Sequence, residues 1–208
     1  EAARSPMQNA LAQLRVSHRF DANSGIGHLA RAVNNSDTGA AQRAFSDFAG
    51  QVRTAGLQPS VPYWSDTRWQ QNVLMGLQDF CRAVKEQRPA GDIFAAFGQY
   101  RLLVALRNGQ SGVEQVNRQV EQLLVAHGLL AARSGDSLWY PGRPVMISRN
   151  DYDLGLFNGD VGITLWQTEG DQPQLKVAFP ASDGGIRWLL PSRLPAHETA
   201  FAMTVHKS

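Results

Sequence analysis

Cysteine is almost absent from this sequence, Cys81 being the only one. A lone thiol can form neither an internal disulfide nor a cysteine-based zinc site, which suits a reducing compartment and makes a cytoplasmic location the expectation. Charge is scarce as well: charged residues make up 18% of the chain, below the roughly 25% of an average soluble domain, so a polyelectrolyte tail and a disordered chain are both excluded. With 20 basic against 18 acidic side chains the net charge is +2, too small a total to argue for nucleic acid by itself, although a local basic patch fits inside it. No apolar run approaches the roughly 20 residues of a membrane span, and the opening residues Glu1-Ala2-Ala3-Arg4-Ser5-Pro6 lack the regions of a signal peptide, so no membrane partner is expected. The 208 residues suffice for one domain, or for one domain carrying a small insertion. The missing initiator Met reads as the mark of a piece from a longer protein.

Catalytic signatures are missing too. There is no Gly-x-x-x-x-Gly-Lys-[Ser/Thr], no Gly-x-Ser-x-Gly, no His-Glu-x-x-His and no Cys-x-x-Cys. The histidines, at 18, 28, 127, 197 and 206, stand at no metal-ligand spacing on one helix face, and no metal site is expected. No nucleophile can be paired with a base, which leaves a stand-alone small-molecule enzyme with little support.

What is present is helical periodicity first. Met7, Ala10, Leu11 and Leu14 recur at helical spacing, and a second helix runs from Gly27 to Val33, with Asn23 or Ser24 as its N-cap. The stretch 36–56 is helical around 40–49, where Ala44, Phe45 and Phe48 share a face. After the breaker Pro59-Ser60-Val61-Pro62, the stretch from Thr67 to Glu86 predicts a helix with Val73, Leu74, Leu77, Phe80, Cys81 and Val84 on one side. Cys81 on that stripe is expected to be a small buried hydrophobe rather than a nucleophile. A short helix follows at 92–97. The apolar run from Tyr100 to Leu106 then suits a strand buried on both faces, leading through Gly109 and Gly112 into a helix over 113–127 with Val116, Val120, Leu123 and Leu124 buried. Strand, turn and helix in that order are the unit of an α/β domain with a parallel sheet. The glycine turn lacks the Lys and Ser/Thr of a phosphate loop and reads as a turn, with a nucleotide cradle as the alternative.

Beyond Gly135 the texture changes to short strands: 144–148, 155–157 meeting 161–166 across Asn158-Gly159-Asp160 as a hairpin, then 175–179 and 186–190. Such spacing predicts a small closed barrel of SH3 or OB type inserted into the α/β domain. Trp139, Tyr152 and Trp166 are expected to pack within it, base stacking being the alternative use of an exposed ring.

Two polar clusters stand at the edges of apolar elements. In His18-Arg19-Phe20 a guanidinium at the end of a linker can reach a nucleotide phosphate, or be an ordinary surface arginine. In Thr204-Val205-His206-Lys207-Ser208, hydroxyls, an imidazole and an ammonium can bind phosphate oxygens of a nucleic acid strand, or form a solvated terminus.

The second cluster, preceded by Ala202-Met203, resembles the start of motif V of superfamily 1 DNA helicases, T-V-H-K-S-Q-G-x-E, whose second half is missing here. Pro144-Val145-Met146, Asn150-Asp151 and Leu156-Phe157-Asn158-Gly159-Asp160-Val161-Gly162 resemble the P-V-M-x-x-x-N-D-x-x-x-x-L-F-N-G-D-x-G stretch of the RecD branch. His18-Arg19-Phe20 with Ser24-Gly25-Ile26-Gly27 and Leu29-Ala30 is similar to its motif IV, Y-R-F and then S-G-I-G-x-L-A, with His18 for the usual Tyr. Leu103-Val104-Ala105-Leu106-Arg107-Asn108-Gly109, Gly112 and Asn117 match the segment between. The resemblance implies an α/β fold: the second RecA-like domain over 1–137, with a helical excursion about 37–90, an SH3-like insertion over 138–197, and a return to the RecA-like domain over 198–208. It implies an ATP-driven 5′ to 3′ DNA helicase subunit acting in double-strand break repair. Its partners would be single-stranded DNA and the two other subunits, of RecB and RecC type, of exodeoxyribonuclease V. By the same resemblance Arg19 is the catalytic arginine and touches ATP, Thr204, His206 and Lys207 bind the DNA backbone, and ATP with Mg2+ is bound by the parent protein. The piece alone, without phosphate loop or motif VI, is expected to hydrolyse no ATP. The alternative reading is a non-catalytic DNA-binding or subunit-docking module with a degenerate RecA-like fold.

Overall fold

The computed structural model of the chain describes residues 21–49, 65–131, 135, 137–169, 172–181 and 183–205. The chain divides into two compact units, residues 1–56 and 57–208.

In the first unit, helix α1 (Gly25–Asn34) begins where Ser24, in extended backbone, accepts a hydrogen bond from the Gly27 N–H at 3.1 Å. Ser24 rather than Asn23 is thus the cap. Gly27 lies so close to the preceding turn that a Cβ there would meet the Asp21 carbonyl oxygen at 2.3 Å. Helix α2 (Thr38–Asp47) is capped by Asp37, which accepts from the Ala40 N–H, and it packs on α1. Ala32 and Ala44 are buried, and the His28 ring stacks on Phe48 at 4.9 Å. The helix read at residues 7–14 lies outside the described residues.

In the second unit, Asp66 accepts from the Arg68 and Trp69 N–H groups and starts helix α3 (Thr67–Lys85). Val73, Leu77, Phe80, Cys81 and Val84 are buried, as their spacing predicts, while Leu74 is half-buried. They meet Ile93 and Phe97 of α4 (Ala90–Gly98) and Val116, Val120 and Leu124 of α5 (Val113–Ala126) in one core, the Phe80 and Phe97 rings 4.9 Å apart.

The long strand expected at 100–106 is shorter and more open than its apolar run suggests. Strand β1 (Leu102–Val104) has three residues, and Leu103 is 56% exposed. Among the described residues its one partner is β7 (Ala202–Thr204), parallel and in register Leu102 to Ala202 and Val104 to Thr204, so no second neighbour or overlying helix covers the Leu103 face.

The other strands, β2 (Pro144–Ile147), β3 (Val161–Glu169), β4 (Gln172–Pro180), β5 (Ile186–Leu189) and β6 (His197–Thr199), form one antiparallel sheet in the order β5-β4-β3-β2-β6. It is not closed into a barrel. The edge strands β5 and β6 do not pair, and the chain between them turns through a short 3-10 helix (Pro191–Arg193) and carries Pro191 and Pro195, which have no N–H for a ladder. Alternation along the strands divides the apolar residues between two cores. Ile163, Leu165 and Ala178 join the core of the helices, whereas Val145, Ile147, Val177, Phe179 and Leu189 form a second one with Leu156. Gly162 leaves room for Phe179, whose ring carbons would lie 2.6 Å from a Cβ at that position.

The expected hairpin of 155–157 with 161–166 is absent. Leu156 makes only an isolated bridge to Asp151, and β3 pairs with β2 and β4 instead. The sequence Asn158-Gly159-Asp160 does turn the chain, with Gly159 at φ 94°. The turn is closed from within, because Asp160 Oδ2 accepts from the Phe157 N–H at 2.7 Å, and it leads into β3, which pairs back with β2 rather than with 155–157.

Candidate functional site

In an open parallel sheet, loops at the carboxyl ends of the strands are the usual place for ligands. The β1 and β7 pair ends at Val104 and Thr204, and the Val205 N–H donates to the Val104 carbonyl at 3.0 Å, holding the outgoing chain beside the loop that follows β1. Thr204 is half-buried there. Arg19, His206 and Lys207 lie outside the described residues, so of the four predicted site residues Thr204 alone has a described position.

The loop after β1 is a built turn. Gly109 has φ 88°, its carbonyl accepts from the Gly112 N–H at 3.0 Å, and the Val113 N–H donates to Leu106. A Cβ on Gly112 would collide with Asn108 backbone carbon at 2.5 Å. Both glycines are therefore explained by the turn itself, in keeping with the turn rather than the cradle reading.

Asn117, in the second turn of α5, is buried, and its side chain joins the helix to β7. Its Nδ2 donates to the Ala202 carbonyl at 3.0 Å and to the Val113 carbonyl at 2.9 Å, while its Oδ1 accepts from the Ala202 N–H at 2.9 Å. The amide thus satisfies both backbone groups of a residue two positions before Thr204. Beside it opens a cleft of about 490 Å³ whose lining includes Arg107, Asn108, Glu114, Arg118, Arg143 and Thr199. Arg118 is paired with Glu114 one helical turn away. Arg143 is buried, its Nε donates to Thr199 Oγ1 at 3.1 Å, one terminal nitrogen donates to the Leu138 carbonyl, and its guanidinium lies 4.6 Å from the Trp139 ring centre. That cation ties the β2 and β6 strands to the incoming chain.

Three observations settle the remaining aromatics and the thiol. Trp139 is half-buried under Arg143, with the His197 ring at 5.2 Å, as packing predicts. Tyr152 and Trp166 are exposed instead, 78% and 47%: Tyr152 sits on a turn outside the sheet, and Trp166 of β3 lines a cleft with Val84 and Lys85 of α3 and with Leu129 and Leu130. Cys81 is buried, and desolvation pushes its thiol up to about 12, which removes it as a nucleophile at neutral pH. No group of three His, Cys, Asp or Glu side chains able to hold a metal gathers among the described residues. No described helix is long and apolar enough to cross a membrane.

The chain is 30% identical over 219 aligned positions, 98% of its length, to the RecBCD enzyme subunit RecD of Haemophilus influenzae, and 32% identical over 95% of its length to that of Mycolicibacterium smegmatis. The chain belongs to the RecD family. It spans about a third of the length of these RecD relatives, 32% in both cases. The ATP-dependent RecD2 DNA helicase of Deinococcus radiodurans is 31% identical over 53% of the chain. No family profile matches the chain.

Asn117, quoted above only as part of a matching block, and Arg143 are the residues whose structural roles sequence reasoning missed. Asn117 had a signal, since it is a polar side chain four residues from Val113 and three from Val120 on the buried stripe of α5. For Arg143 the hint is a charge immediately before the apolar strand Pro144–Ile147.

Proposed function

We propose that the chain is part of the second, RecA-like motor domain of an ATP-driven 5′ to 3′ DNA helicase subunit of a RecBCD-type exodeoxyribonuclease V, working in double-strand break repair. The observation that carries the reading is the continuity of RecD similarity, 95 to 98% of the chain in relatives from two distant bacteria. The motif IV block around Arg19 and the block that begins at Thr204 fit this reading. In this reading 1–137 and 198–208 belong to the RecA-like domain and 138–197 to an SH3-like insertion.

Each residue then has a role. Arg19 reaches the γ-phosphate of ATP held by another domain, and its guanidinium stabilises the charge that develops as the phosphoryl group is transferred. Mg2+ accompanying the nucleotide would neutralise phosphate charge, and the described residues offer it no ligand set. Thr204, His206 and Lys207 hold phosphates of single-stranded DNA, contacts that read backbone rather than sequence. The Asn117 amide fixes the strand that delivers Thr204. Domain closure on ATP and reopening after hydrolysis step the strand. Subunits of RecB and RecC type are the protein partners, as the relatives' name RecBCD enzyme subunit suggests.

The deciding experiment is Arg19→Ala in the intact parent protein. DNA-stimulated ATP turnover should fall by about three orders of magnitude or more while nucleotide affinity is retained. Unchanged turnover would remove the motor role and favour a docking module. The 208-residue chain alone should show no DNA-stimulated turnover.

A further inference from the structure

The block Asn150-Asp151-Tyr152 to Gly162 builds a loop that is braced at every turn. Asn150 Oδ1 accepts from the Asn158 N–H at 2.8 Å, Asp151 Oδ1 from the Leu154 N–H at 2.9 Å, and Asp160 Oδ2 from the Phe157 N–H at 2.7 Å. Arg187 of β5 reaches beneath the loop and donates to the Leu154 and Gly155 carbonyls. Leu156 is buried in the second core and pins the loop from the inside. Such a loop has little freedom to hide what it carries.

What it carries outward is aromatic. Tyr152 is 78% exposed and Phe157 49%, their ring centres 6.0 Å apart and edge to face, and Asn150 Nδ2 lies 3.4 Å from the Tyr152 hydroxyl. Two rings held in water side by side on a braced loop are accessible to another molecule. Two of the three carboxylates on the loop, those of Asp151 and Asp160, are turned onto its own N–H groups, and Arg149 is exposed beside it. The third carboxylate, Asp153, is exposed next to Tyr152, so the loop presents two π-faces with one exposed anion and one exposed cation, and it is the rings rather than the charge that suit a nucleic-acid base.

We propose that Tyr152, steadied by Phe157 and Asn150, is a stacking platform for a base of single-stranded DNA. The proposal rests on the helicase reading and adds to it a contact with a base, made by a part of the chain separate from the phosphate contacts assigned to motif V. A stacked base is sequence-tolerant, so the platform suits a protein that tracks along a strand.

The test uses the intact parent protein and a fluorescein-labelled oligothymidylate, with binding measured across a salt series. Tyr152→Ala should weaken binding roughly ten-fold, the scale of one lost stacking contact. The dependence of affinity on salt should keep its slope, because no phosphate contact is lost. Tyr152→Phe should restore affinity and Tyr152→Leu should not, since leucine supplies apolar area without a π-face. Rescue by Leu equal to that by Phe would overturn stacking and indicate a protein-docking surface. Unchanged affinity in Tyr152→Ala would overturn the platform while leaving the helicase reading intact. Absence of any binding by the unsubstituted protein would sink both. The exposure of Tyr152 keeps these variants clear of the core, and an unchanged melting temperature checks that they fold.

Discussion

Asn117 grips Ala202 by both of its backbone groups, across 85 residues of sequence. One amide side chain thereby locks α5 to β7 and sets where the chain leaves the sheet at Thr204. A neutral amide is the side chain for this task, because it alone offers a donor and an acceptor side by side without the cost of burying a charge.

Replacing Asn117 by Ala leaves the Ala202 N–H and carbonyl buried without those partners. Each such group costs about 1 to 3 kcal/mol, so a loss of about 3 kcal/mol in unfolding free energy is expected from urea denaturation. Asn117→Asp should be no better, since it puts an oxygen against the Ala202 and Val113 carbonyls where nitrogen now donates. A loss under about 0.5 kcal/mol in both variants would show that the clasp is dispensable.

Gly162→Ala tests why the Asp160-Val161-Gly162 stretch needs its glycine. The added methyl would meet Phe179 at 2.6 Å and Val177 at 2.8 Å, both buried. Overpacking of this kind costs about 1 to 3 kcal/mol and outweighs the entropy gained by removing a glycine from a strand, about 0.5 to 1 kcal/mol. Lower urea midpoints are expected, and a second substitution that shortens the neighbour, Phe179→Leu, should recover part of the loss in the double variant.

Cys81 yields a pH dependence. Burial pushes its thiol from 9.0 to about 12. The folded state therefore favours the protonated thiol, and the corresponding stability is fully present below pH 9 and is lost as the pH rises from 9 toward 12, where only the unfolded chain ionises. Thermal melts of the native chain and of Cys81→Ala should diverge in slope across that window, the native chain falling more steeply. A disulfide-exchange reagent at pH 7.5 should leave Cys81 unmodified until the protein unfolds. Rapid modification of folded protein would contradict the buried position.

Local elements were the legible part of the fold. The periodicity of Val73, Leu77, Phe80 and Val84 and that of Val116, Val120 and Leu124 identify α3 and α5, because a helix repeats over a few residues and its own side chains carry the pattern. Strand positions were legible for the same reason, and β2, β4 and β5 fall where alternation places them. Partnership was not. The apolar run 100–106 says that a strand can form but not that it stops at Val104 with Leu103 in the open. Asn158-Gly159 signals a turn but not which strands flank it. For the site, the order of blocks identified the family and named Arg19, Thr204, His206 and Lys207. The Asn117 clasp, the Arg143 tie and the outward rings of Tyr152 and Phe157 became visible only in three dimensions.

By itself, then, the sequence determined the helices of the described residues, most of the strands, the buried thiol and the family, since these follow from short-range periodicity and from residue order. The tertiary structure decided that β1 takes β7 as its partner, that the antiparallel sheet stays open, and that it divides its side chains between two cores. It also decided that a loop of motif residues holds two aromatic rings in water. Each of these depends on contacts between residues far apart in the chain, whose closure and packing no local pattern encodes.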